Sequence, residues 1–126
     1  MFREITVVTS QKEEAIDITA SVEAVVDAAQ VKEAGVFVYV PHPDAAVNIQ
    51  GASSQDPPLN RLLKRVLEEE GEFREPQTGA AFVAPTEVLI AVNGKLLLGE
   101  GQRIYLYEFN GPRKRSVYVL VIPAQG

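Results

Sequence analysis

Two stretches near the C-terminal end of the chain are apolar on both faces of an extended backbone, and they constrain the fold more than any other feature. In Arg103–Phe109, Ile104 and Leu106 alternate with Tyr105, Tyr107 and Phe109. In Ser116–Ile122, Val117, Val119 and Val121 alternate with Tyr118, Leu120 and Ile122. Successive side chains of a strand point to opposite sides. Each stretch therefore presents two apolar surfaces, and exposing either to water forgoes roughly 25 cal/mol per Å². Such strands belong between two layers. A turn around Asn110-Gly111-Pro112 joins the two strands.

The remaining pattern supplies few layers. Ile5–Val8 reads as a strand and Ala15–Thr19 as a second, short one. Thr19 then suits a helix N-cap, with Glu23 in the first turn. Val22, Val25, Val26 and Ala29 form one helical stripe, which Gly35 stops. Val36–Val40 is continuous, β-branched and aromatic, as expected of a strand buried on both faces. Pro41-His42-Pro43-Asp44 breaks it, and Ala45–Gln50 is the next strand. A second helix opens with Asp56 as N-cap and Pro57 in the first helical position; Leu59, Leu62, Leu63, Val66 and Leu67 make its apolar face, and Gly71 ends it. The segments 51–58 and 71–85 read as loops. Thr86–Val92 and Lys95–Leu98 flank Asn93-Gly94, a strong hairpin signal. The expected class is α+β: one domain over residues 1–126, a mostly antiparallel, sandwich-like β-sheet system with about two helices. Two helices are few for strands apolar on both faces, so a subunit interface is expected to supply the second cover.

Charge and composition narrow the partners. Formal net charge is −5 over 126 residues, and an acidic surface repels nucleic-acid phosphates and anionic lipid. Neither nucleic acid nor membrane is expected as a partner. Met1-Phe2-Arg3-Glu4 runs straight into strand-like alternation without a leader, and no apolar run reaches membrane-spanning length. The expected location is cytoplasmic. The chain has no cysteine and one histidine, short of the three or four ligands that zinc sites use. No metal ligand is assigned, and the residues name no cofactor. There is no Ser-His-Asp arrangement, P-loop or dinucleotide fingerprint.

The candidate site residues are few. His42 follows a buried strand, where functional groups are often carried; a turn histidine bonded to backbone is the plainer alternative. Asn48 and Gln50 share a strand face and can orient a ligand as a pair of amides. Gly111-Pro112-Arg113-Lys114-Arg115 can hold a phosphate, because arginine offers a planar fork of donors and glycine lets an anion approach the backbone. A solvated hairpin turn accounts for it equally well.

The order of these segments resembles the YjbQ family, whose members are called secondary thiamine-phosphate synthases. Phe2–Val7 is similar to the family's opening strand and Asp17-Ile18-Thr19 to its "dIT" segment. His42–Gln50 occupies the place of "HTTAalxinE", Asn93–Gln102 that of "NGxLxLGTWQ", and Glu108–Arg115 that of "EFDGPRxR". Asp56 fits the acidic residue that begins the second helix. The departures are specific. Pro43 and Asp44 replace two threonines, Gln50 replaces a glutamate, Gly101 replaces a tryptophan, and Phe82 stands where the histidine of "NAxAH" would fall, with the segment after it shorter than the family's by about one helix.

The resemblance implies a trimeric α+β protein with a site near subunit contacts. It also implies weak joining of a pyrimidine pyrophosphate to a thiazole phosphate, with a small phosphorylated ligand. It carries over His42 as catalytic residue and Asn48, Gln102 and Arg113 as ligand-binding residues, with Gln50 at the altered position. Losing the glutamate and the second histidine removes acid–base capacity. The alternative is a homo-oligomer that binds an anion without catalysis.

Overall fold

The computed structural model describes residues 1–51, 58–69 and 75–124, apart from the side chains of 58 and 67–69. Among the described residues, eight strands and three helices follow in the order β1 (Phe2–Val8), β2 (Glu14–Asp17), α1 (Thr19–Ala29), β3 (Glu33–Tyr39), β4 (Ala45–Gly51), α2 (Pro58–Glu69), α3 (Pro76–Val83), β5 (Thr86–Val92), β6 (Lys95–Leu96), β7 (Gln102–Glu108) and β8 (Lys114–Pro123). The strands form two antiparallel sheets, β1-β8-β3-β5-β6 and β2-β7-β4. The α+β class is as expected. The segment from Pro76 is not wholly loop, however. Pro76 preorganises the first turn of α3, and Gly79 lets that helix approach the ring of Phe109. The proposed Asp56 cap, Pro57 and Gly71 lie outside the described residues.

The two sheets face each other across one core. Val36, Val38, Val117, Val119 and Val121 project from the larger sheet; Val47, Ile104 and Leu106 project from the smaller. Val22, Val25 and Val26 of α1 close one end. At about 1.5–3 kcal/mol for each fully buried side chain of this size, this cluster dominates stability. The other face of β7 is covered within the chain. Tyr105, Tyr107 and Phe109 pack with Ala46 against Leu63 of α2 and Ala80 and Val83 of α3.

β8 and β3 lack that second cover. Phe37, Tyr39, Leu120 and Ile122, with Phe2, Val88 and Ile90 on neighbouring strands, stay exposed on the outer face of the larger sheet. The burial of Val36–Val40 on both faces is therefore corrected within one chain: its inward valines are buried and its aromatic residues are not. The turn after β7 also does not close a hairpin. β7 and β8 lie in different sheets, and residues 109–113 carry the chain between them.

Two helix ends differ from the sequence pattern. Thr19 does not cap α1 with its side chain. Its hydroxyl accepts the Ile104 N–H (2.8 Å), while the Asp17 carboxylate accepts the Thr19 N–H (2.9 Å). The buried hydroxyl ties helix to sheet instead. α1 ends at Gln30, in the left-handed conformation at φ 54°, and Gly35 lies inside β3. The Asn93-Gly94 hairpin forms as expected, with φ of 54° and 78°.

Ala84, between α3 and β5, has φ 89° and ψ 153°, a region that strains any side chain. Its N–H bonds Ala80 O and its carbonyl accepts the Val47 N–H, so both neighbours hold it there. Ala84→Gly is expected to raise the unfolding free energy by about 1 kcal/mol, against the usual cost of a new glycine. Urea denaturation checks this. A loss of that size would show that the position is not strained.

Candidate functional site

The corner where the chain passes from one sheet to the other is the most polar part of the interior. Glu108 ends β7 and Arg115 is the second residue of β8; each continues its strand's core-facing alternation, Ile104-Leu106-Glu108 and Arg115-Val117-Val119. Glu108 is 1% exposed and Arg115 4%. Two ions buried so deeply need full pairing. Arg115 Nε donates to Glu108 Oε1 (2.8 Å) and its Nη2 to Oε2. Arg115 Nη1 reaches Asp44 Oδ1 at 2.8 Å. Thr9 Oγ1 donates to Glu108 Oε1 (2.8 Å), and the Asn110 N–H to Oε2 (3.0 Å). Asn110 Nδ2 donates to Asp44 Oδ2 (3.2 Å). Among the described residues no buried side-chain nitrogen or oxygen is left unbonded.

The carboxylates stay ionised. Burial pushes Asp44 and Glu108 up, but hydrogen bonds from Arg115 and Asn110, and for Glu108 also Thr9, outweigh it and hold both below the ordinary range.

His42 and Arg113 border this cluster. The imidazole Nε2 accepts the Ser116 N–H at 3.0 Å. Burial and the Arg115 charge lower the His42 pKa below its ordinary value; the opposing attractions of Asp44 and Glu108 are smaller. Arg113 Nε donates to Asn110 O (2.8 Å) and lies 4.0 Å from Asp44 Oδ2. Its side chain is 53% exposed, and its two Nη groups have no partner among the described residues. The turn that carries it is clamped, because the Arg113 N–H donates to Thr9 Oγ1 (2.8 Å) and the Gly111 N–H to Lys12 O (2.9 Å).

The other three candidates lie elsewhere in the same chain. Gln50 is six residues beyond Asp44 along an extended strand, about 20 Å away at 3.3 Å per residue. Its amide donates to Asn48 Oδ1 (3.0 Å) and to the Tyr107 hydroxyl, and its oxygen accepts the Leu59 N–H (3.2 Å). It thereby serves the first turn of α2 as a cap. Gln102 pairs with Gly51 at that far end. Its Oε1 accepts the Gly99 N–H (2.7 Å), and it lines a groove of about 650 Å³ between α1 and residues 94–103. Phe82 is 67% exposed on α3. One chain thus brings His42 and Arg113 together around Asp44 and Arg115, joins Asn48 to Gln50, and sets Gln102 apart.

Sequence pattern assigns Thr9, Glu108 and Asn110 to no site, takes Asp44 only as part of the turn that carries His42, and takes Arg115 only as part of the Gly111–Arg115 phosphate segment. For Glu108 and Arg115 a signal existed: counting by twos from Ile104 and back from Val121 puts both on the core side. Thr9 and Asp44 join only through the crossing between the sheets, which no local pattern marks.

Residues 3–124 match the family described as UPF0047 protein YjbQ-like. The UPF0047 protein YugU of Bacillus subtilis is 30% identical, with 94% of this chain and 97% of that protein covered. A UPF0047 protein of Methanocaldococcus jannaschii is 29% identical over 90% of this chain and 88% of its own length. Among solved structures, a structural-genomics target from C. acetobutylicum superposes with a TM-score of 0.86 at 33% identity, covering 97% of this chain and 99% of that one. A hypothetical protein from Aeropyrum pernix gives 0.82 at 27% identity, covering 98% and 99%. With a family match over nearly its whole length and the same half-barrel of two sheets, the chain belongs to the UPF0047, YjbQ-like family.

Proposed function

We propose that the corner around Arg113 binds a small phosphorylated anion, and that the chain does so without family-type acid–base chemistry. The observation that carries this is the state of Arg113. Its Nε is spent on fixing the turn, and its two Nη groups remain as a fork of donors at an exposed position. Charge favours the same ligand. Arg113, Lys114 and Arg115 against Asp44 and Glu108 leave this corner at +1, in a chain of net charge −5. Gln50 has no acidic proton, and His42 Nε2 is already bonded.

Calorimetric titration with inorganic pyrophosphate tests the reading. Arg113→Gln is expected to weaken binding at least about tenfold, as for loss of a charge-assisted hydrogen bond. Binding should also weaken with salt. Equal affinity in both proteins refutes it.

The retained His42, Asn48, Gln102 and Arg113 favour a second reading, a thiamine-phosphate synthase-like transferase. With these residues spread over one chain, such a site would draw on neighbouring copies. Thiamine phosphate formed from a pyrimidine pyrophosphate and a thiazole phosphate, and lost in His42→Ala, would support it. We further propose a cytoplasmic homotrimer, with the exposed apolar face of the larger sheet as its contact; sedimentation as a monomer at micromolar concentration would refute that assembly. Among the described residues, no helix is long and apolar enough to cross a membrane.

A further inference from the structure

We infer that His42 is a positioning residue held as a single neutral tautomer, with Nε2 committed as an acceptor in place of a missing strand carbonyl, and that protonating it releases the start of β8. The β3–β8 ladder pairs Tyr39 with Tyr118 as its last partners. Continuing that register would place Pro41 opposite Ser116. Pro41 and Pro43 flank the point where the chain leaves the sheet, and the ladder ends there. The Ser116 N–H would lose its partner, and it donates to His42 Nε2 instead, at 3.0 Å. The opposite ring orientation would set a carbon at that position, which cannot accept. An imidazole whose Nε2 accepts carries its proton on Nδ1. Nδ1 makes no hydrogen bond among the described residues, and since no buried side-chain nitrogen there is left unbonded, it is open to solvent.

The consequence is a pH-dependent latch. A protonated ring turns an N–H against the Ser116 N–H and puts a second cation beside Arg115. The facing charges are Arg115 on β8, Glu108 on β7 and Asp44 on the β3–β4 connection. Both carboxylates are engaged by Arg115, so they offset the new charge only in part. Burial and Arg115 already lower the His42 pKa. The sign follows. With the folded pKa below the ordinary 6.5, the unfolded chain takes up the proton first. The stability His42 contributes is present above pH 6.5 and lost as pH falls through the folded pKa. Burial raises Glu87 on β5, which acts with the opposite sign. A probe at the histidine itself is therefore required. The latch does not depend on the anion-site reading.

Because His42 is the only histidine, imidazole nitrogen NMR of the ligand-free protein reads it without ambiguity. The expected result is an Nδ1–H tautomer at pH 7.5, titrating below 6.5, with the Ser116 amide shifting at the same midpoint. An Nε2–H tautomer, a mixture, or a midpoint at 6.5 or above overturns the inference. His42→Leu is expected to speed Ser116 amide exchange by about tenfold, the loss of one hydrogen bond. His42→Gln, which keeps an acceptor, should restore protection and remove the pH dependence of that amide. If Ser116 exchange is unchanged in His42→Leu, the latch does not exist. None of these readouts involves an anion, so they can fail while pyrophosphate binding stands, or hold while it fails.

Discussion

Arg115→Met is expected to cost about 3–5 kcal/mol of unfolding free energy, because it leaves Glu108 ionised and unpaired in the core. Arg115 is 4% exposed and Glu108 1%, so water cannot replace the guanidinium. The loss is a large share of the roughly 5–15 kcal/mol that holds a domain of this size together. The defect should also depend on pH in a defined direction. Burial pushes the Glu108 pKa up, and removing Arg115 takes away the largest of the interactions that hold it down, so the folded pKa rises in the variant. The destabilisation is then full above the folded pKa and shrinks as pH falls through it. Denaturant unfolding at pH 7 and pH 4.5 measures both effects. Should the single variant fail to fold, Arg115→Met combined with Glu108→Gln removes the orphaned charge and should restore a cooperative transition. A single-variant cost under about 1 kcal/mol, within the range of exposed pairs, would contradict a buried ion pair at this corner.

Gly111→Ala should cost about 3 kcal/mol or more, at the upper end of overpacking effects. A Cβ there would stand 2.1 Å from Gln11 O, 2.8 Å from Thr9 Oγ1 and 2.9 Å from Glu108 Cγ. The first of these is backbone and cannot swing aside. Its φ is not among the positive ones, so the requirement is space. Relief of the clash would push residues 9–12 off the turn and break the Thr9 bond to the Arg113 N–H, so pyrophosphate affinity should fall with stability. Gly51→Ala is the control: nothing lies within 4 Å of a Cβ there, and its effect should stay within about 0.5 kcal/mol. Thermal unfolding of the two variants side by side decides. Equal midpoints would mean that residues 9–12 do not pack against the turn.

The strands and the hairpin were legible because their signals are local. Alternation over 103–109 and 116–122 marks β7 and β8, and Asn93-Gly94 can adopt the positive φ its turn needs. That β7 and β8 enter different sheets was not legible, since a turn of the same length can close a hairpin or cross between layers. α3 was hidden by Pro76 and Gly79, residues that break helices elsewhere. Here they sit at a first turn and at a close contact with Phe109. In the site, His42 and Arg113 could be named from residue chemistry. Arg115 was read as part of a basic, turn-sized cluster, because Arg113-Lys114-Arg115 looks solvated until the strand's alternation is extended back one step. The pairing of Gln50 with the Leu59 N–H depends on where α2 docks, which no spacing within β4 encodes.

The claim that the clamped turn presents Arg113 to an anion is tested most directly by following backbone amides during a pyrophosphate titration. The account predicts saturable shifts concentrated at residues 110–116 and at His42, absent in Arg113→Gln. Saturable shifts confined instead to residues 20–27 and 94–103, around the groove beside Gln102, or the same pattern in Arg113→Gln, would contradict it.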